Sequence, residues 1–173
     1  MIMLHTLSVS LLPLLLIFAA TSDVLSLRIP NWLTALTAAL FFPMAWLTGM
    51  PLNEFGMHLI AGVGLFAAGF LFFQLGLFGG GDAKLMAAAG LWFGTAQTVP
   101  FLFMTAMAGG ILAVCVGLWS MFNIYWEIEA SGSFAENFGK QLRSLKPNVP
   151  YGFALAVGGI IAFKESWWMA TTF

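Results

Sequence analysis

Apolar residues dominate this chain in six runs, and polar residues are confined to the breaks between them. The runs fall at about 4–23, 32–49, 56–77, 83–97, 100–122 and 151–170, each near the ~20 residues that cross a bilayer as a helix. The fourth is short, which a tilted helix or a thinned bilayer accommodates. The breaks coincide with turn formers: Arg28-Ile29-Pro30-Asn31, Gly49-Met50-Pro51, Gly79-Gly80-Gly81, Val99-Pro100 and Asn148-Val149-Pro150. Pro13 and Pro43 lie inside runs, where neighbouring helices tolerate a kink. The pattern predicts an all-α polytopic membrane protein. It is expected to be a bundle of six transmembrane helices forming one domain over residues 1–173.

Composition strengthens that reading. The 173 residues are 61% hydrophobic and 8% charged, with a mean hydropathy of +0.95, whereas a soluble domain carries about 25% charged residues. The net charge of −1 offers no basic surface for nucleic acid. The single cysteine, Cys115, lies in an apolar run and reads as a packing residue; no Cys-x-x-Cys pair exists to hold zinc. Leu11 to Ala20 resembles a signal-peptide core, but no Lys or Arg precedes Arg28. A retained first helix is therefore expected.

Basic residues set the orientation. With the N-terminus outside, the inner segments hold Arg28, Lys84, Lys140, Arg143 and Lys146, and the outer ones only Lys164. Trp119, Tyr125 and Trp126 then fit an inner aromatic belt, and Trp167 and Trp168 an outer one. Both termini are expected outside. The longest polar segment, about 123–150, becomes a cytoplasmic loop. Phe134, Phe138, Leu142 and Leu145 recur there at helical spacing, so it reads equally as an interfacial amphipathic helix and as a solvated connector. The pairs Gly64–Ala68, Gly90–Gly94, Gly152–Ala156 and Ala154–Gly158 are expected to let helix backbones approach closely.

In so uncharged a chain the two aspartates at run edges draw the chemistry. Asp23 ends the first run and Asp82 opens the fourth, and the basic bias puts both at the cytoplasmic face. Ionisable groups at membrane depth are functional candidates by default. Taken singly each has a plainer reading. Asp82 after three glycines suits a helix N-cap, and Asp23 suits an exposed helix-end carboxylate paired with Arg28. Two carboxyls that meet, however, are equipped for acid/base chemistry on a shared proton. Arg28 and Lys84 serve either as orientation signals or as cations tuning the aspartates. Asn31 reads as a cap of the second helix. His5 and His58 are expected at the outer interface and not as metal ligands. Glu54, Glu127, Glu129 and Glu136 are expected to be solvated. No His lies near Ser22 or Ser26 to complete a Ser-His triad.

These residues resemble a known family. Gly79-Gly80-Gly81-Asp82-Ala83-Lys84-Leu85 is similar to the Gly-x-Gly-Asp-x-Lys-Leu pattern of the type IV prepilin peptidases. Asp23 followed by Arg28-Ile29-Pro30-Asn31 resembles their first catalytic aspartate and its Ile-Pro-Asn. Val149-Pro150-Tyr151-Gly152 resembles their Pro-Tyr-Gly segment, with Phe153 where many members have proline. Nothing like the paired Cys-x-x-Cys insertion of the larger, methylating members fits between residues 23 and 32, so the chain resembles the short, peptidase-only branch serving Tad/Flp-type pili.

The resemblance implies an aspartyl endopeptidase of the bacterial inner membrane that removes the basic leader of a prepilin or pseudopilin at the cytoplasmic face. Asp23 and Asp82 would be catalytic, with Gly79, Gly81, Lys84, Arg28 and Asn31 supporting or touching substrate. Methyl transfer is not expected, and neither cofactor nor metal is needed. The glycines are expected to form a wall along which substrate backbone lies. The rival classes are a small proton-coupled transporter, whose site would sit near mid-membrane, and a non-catalytic subunit of a pilus or secretion assembly.

Overall fold

The computed structural model describes residues 2–131 and 150–170, all of its regular structure helical. The elements are α1 (Ile2–Ser26), α2 (Asn31–Leu47), α3 (Leu52–Gln74), α4 (Gly80–Ser131), α5 (Tyr151–Phe163) and α6 (Trp167–Ala170). The polar segment, with its expected amphipathic helix, lies largely outside the described residues. Three stretches are long and apolar enough to cross a membrane: Thr6–Ser26, Leu52–Gln74 and Gly80–Trp126. The 17-residue α2 is a shorter apolar helix, about 25 Å long. Exposed Phe, Leu and Trp side chains cover the outside of the bundle, as a lipid-facing surface requires.

The helix stops follow from local chemistry. Past α2, Gly49 adopts φ +68, and the Gly49 and Met50 amides donate to the Trp46 and Ala45 carbonyls. Past α3, Gly76 adopts φ +71, and the Gly76 and Leu77 amides donate to Phe73 and Phe72. Both are glycine-terminated Schellman motifs that satisfy otherwise orphaned carbonyls. The first turn is made differently. Leu27 takes φ +52, and the Ser22 and Ser26 hydroxyls donate to the Arg28 carbonyl at 2.9 and 3.2 Å.

The fourth run does not break at Val99-Pro100. It breaks at Gly94, whose φ of +65 and ψ of −180 turn the chain, in a region open essentially to glycine alone. Pro100 is carried inside the second arm of α4. A helix break orphans the carbonyls before it, and side chains from elsewhere answer them. His58 Nδ1 donates to Leu91 O at 2.7 Å, and Trp168 Nε1 donates to Trp92 O at 2.7 Å. His58 is therefore 2% exposed and stacked on Phe41, not placed at an interface with water. Trp168 is fully buried and makes no outer belt.

The first arm of α4, residues 80–93, is the hub. Leu85, Met86, Ala89, Trp92 and Phe93 are buried there among Leu12 and Leu16 of α1, Leu33 and Phe41 of α2, and Leu155 of α5. The small residues are used unequally. A Cβ on Gly90 would lie 2.8 Å from Leu65 Cδ1, whereas one on Gly64 would meet nothing within 4 Å. Gly90 thus seats α4 on α3, and the Gly64–Ala68 pair has no packing partner at Gly64.

Candidate active site

Three chain segments converge at one end of the bundle: the last turn of α1 with the turn after it, the start of α4, and the start of α5. Ile29 is the wedge between them. A Cβ added to Gly81 would lie 3.2 Å from Ile29 Cβ, and one added to Gly152 would lie 2.6 Å from Ile29 Cδ1. The Phe78 and Tyr151 rings meet beside it, 5.6 Å apart.

Asp23 is buried, at 5% exposure. Its carboxylate accepts the Phe153 amide at 3.3 Å and the Gly152 amide as well. These are orphan donors of the first turn of α5, the place where a helix favours negative charge. The plainer alternative, an exposed pairing with Arg28, is not found. Arg28 contributes its backbone carbonyl to the turn, and no ion pair joins its guanidinium to Asp23 among the described residues.

Asp82 is the third residue of α4, not its cap. Its side chain reaches back to accept the Gly79 amide, while the Gly79 carbonyl accepts from Ala83 at 3.1 Å. That is the reciprocal half of a capping box, with glycine standing at the cap itself. Asp82 is half-buried and close enough to Asp23 for their charges to interact. The two carboxyls singled out in the sequence are thus brought to one place.

The flanking residues differ from expectation in instructive ways. Asn31 is not a cap: Pro30 occupies that position, without a side-chain hydrogen bond. Asn31 instead accepts a 2.9 Å hydrogen bond from Lys84 Nζ, tying α2 to the start of α4. The glycines do not turn an open wall outward at their Cβ positions. Gly79 faces Asp82 Oδ2, Gly80 the Phe73 ring and Gly81 Ile29. Sequence reasoning overlooked Gly152, Phe153 and Ile29 as site residues. The available signal was a proline followed by Tyr-Gly at the start of an apolar run, which marks a tight helix N-terminus. No group of three or more metal-ligating side chains gathers among the described residues.

The fold and this convergence define a helical membrane protein with two carboxyls near one another at one end of its bundle, each accepting backbone amides. Residues 10–114 match the model of the type IV leader peptidase family. The chain belongs to that family, and is by membership a membrane peptidase with a prepilin-type substrate. The matched stretch holds Asp23, Asp82 and the turn between α1 and α2, and ends before α5. No curated protein and no solved structure matches the chain.

Proposed function

We propose that this protein is an aspartyl endopeptidase that cleaves the leader from Flp-type prepilins at the cytoplasmic face of the inner membrane, with Asp23 and Asp82 as its catalytic pair. The observation that carries the reading is their convergence. Two residues far apart in sequence, in a chain with few acids, lie within electrostatic reach of each other at one end of the bundle, and each accepts main-chain amides.

The chemistry follows from that pairing. Two adjacent carboxyls hold one proton between them. The ionised member takes a proton from water as the water attacks the scissile carbonyl. The protonated member donates to the developing oxyanion, and later the proton passes to the leaving amine. Neither aspartate is assigned one role, because the pair titrates as a unit. The backbone N–H groups of Gly152, Phe153 and Gly79 donate to the carboxyls and orient them, and as donors they favour the ionised form. The organisation we propose with it is six crossings over the single domain 1–173, counting the two arms of α4 separately. Both termini are external, and Arg28 and Lys84 lie at the inner surface.

The test is cleavage of a leader-bearing prepilin in membranes. Asp23→Asn and Asp82→Asn should each abolish cleavage at unchanged membrane abundance. The double variant should be no worse than either single, because groups acting as a unit are not additive. Near-normal cleavage by either single variant refutes the dyad.

A further inference from the structure

The two carboxyls are reached by glycine amides from distant parts of the chain, and the residue before each of these glycines is aromatic. Gly79 donates its amide to Asp82 and follows Phe78; Gly152 donates its amide to Asp23 and follows Tyr151. Both approaches are close. A Cβ on Gly79 would lie 2.8 Å from Asp82 Oδ2, and one on Gly152 would lie 2.8 Å from Asp23 Oδ2. The Phe78 and Tyr151 rings touch each other, with centroids 5.6 Å apart and planes inclined at 37°. Phe78 is anchored from behind. Its ring meets Phe72 edge-on at 5.5 Å, its amide donates to the Phe72 carbonyl at 3.4 Å, and it packs on the buried core.

Resting on the peptidase reading above, we propose that Phe78 and Tyr151 are positioning residues, a clasp that sets the two aspartates relative to each other. The first argument is the peptide unit. An amide N–H lies in one plane with the carbonyl of the preceding residue. The backbone torsions of Phe78 and Tyr151 therefore aim the two amides, and holding the rings holds those torsions. The second is the route through the fold. The backbones of α1 and α4 share little direct contact, and each packs on α5. Asp23 is tied to the start of α5 and Asp82 to the residue just before α4. The ring pair, with Ile29, bridges those two places. The third is the chemistry. How two carboxyls share a proton depends on their separation. A bridge between their amide donors thus acts on the rate of cleavage and not on the binding of substrate. The contact is made by the rings, so the tyrosine hydroxyl is not required.

The experiment is a double-mutant cycle on the full-length protein in membranes, with leader cleavage of a synthetic prepilin read as kcat and KM at matched abundance. Phe78→Leu and Tyr151→Leu keep apolar bulk, and Tyr151 is 37% exposed, so neither threatens folding. Each should lower kcat at least fivefold with KM within twofold of the unaltered protein. The double variant should be no slower than the slower single, because both changes remove one contact. Tyr151→Phe, which keeps the ring, should stay within twofold in both constants. Phe122→Leu, from an exposed ring pair on the second arm of α4, should change neither. Three results overturn the clasp while leaving the dyad standing: normal kcat in both leucine variants, losses that multiply in the double variant, or a Tyr151→Phe protein as slow as Tyr151→Leu. Cleavage by Asp82→Asn overturns the peptidase reading itself.

Discussion

Gly152→Ala is the most discriminating single change at the site. By helix propensity alone it should be neutral or favourable, since alanine improves on glycine by roughly 0.5–1 kcal/mol in a helix. The tertiary surroundings reverse that sign. The new methyl carbon would lie 2.8 Å from Asp23 Oδ2, 3.0 Å from Asp23 Cγ and 2.6 Å from Ile29 Cδ1. Ordinary contact needs the carboxylate to retreat by about 0.5 Å or more. The Phe153 amide already stands at 3.3 Å from that oxygen, so the retreat breaks the hydrogen bond. A hydrogen bond to a buried charged group contributes about 1.5–3 kcal/mol. If that stabilisation is what orients Asp23 for catalysis, cleavage should slow by roughly 10- to 150-fold. The assay is leader cleavage at equal membrane abundance, paired with thermal unfolding in detergent. Ile29→Val in the same background relieves only the Ile29 contact, so it should restore stability more than rate. A Gly152→Ala protein that cleaves at the wild-type rate would refute the claim that the α5 amides position Asp23.

The glycines before Asp82 should rank by what their Cβ positions face. Gly79→Ala presses on Asp82 Oδ2 at 2.8 Å and should slow cleavage most, Gly81→Ala crowds Ile29 at 3.2 Å and should slow it less, and Gly80→Ala, in ordinary contact with Phe73 at 3.4 Å, should be mildest; equal, wild-type-like rates for all three would reduce them to a linker. Gly94→Ala should lower the unfolding temperature markedly, by about 2 kcal/mol or more in stability, because a side chain there is strained at φ +65 and meets the His58 ring at 2.9 Å; an unchanged midpoint would refute the break as a glycine requirement. Accessibility tags at both termini should be reached from outside and a tag near residue 135 only from the cytoplasm, and the reverse pattern would put the aspartates on the wrong face.

Much of this protein is legible in the sequence because membranes simplify the code. Long apolar runs can only be helices when no water is present to satisfy the backbone, and Gly49 and Gly76 stop them by local geometry. The scarcity of charge also makes Asp23 and Asp82 stand out by spacing and composition alone. Other features depend on what each residue meets across the bundle. The chain break lies at Gly94 and not at Pro100, because a change of direction needs a positive φ, and the carbonyls it frees need His58 and Trp168 from distant segments. Asp23 reads as an exposed partner of Arg28 until α5 is docked against it. Asn31 reads as a cap until Lys84 arrives from α4. Gly152 is an ordinary helix residue until Ile29 and Asp23 close on it. Local sequence carries propensity and spacing; hydrogen-bond partners and steric clearances between segments far apart in the chain exist only once the helices pack.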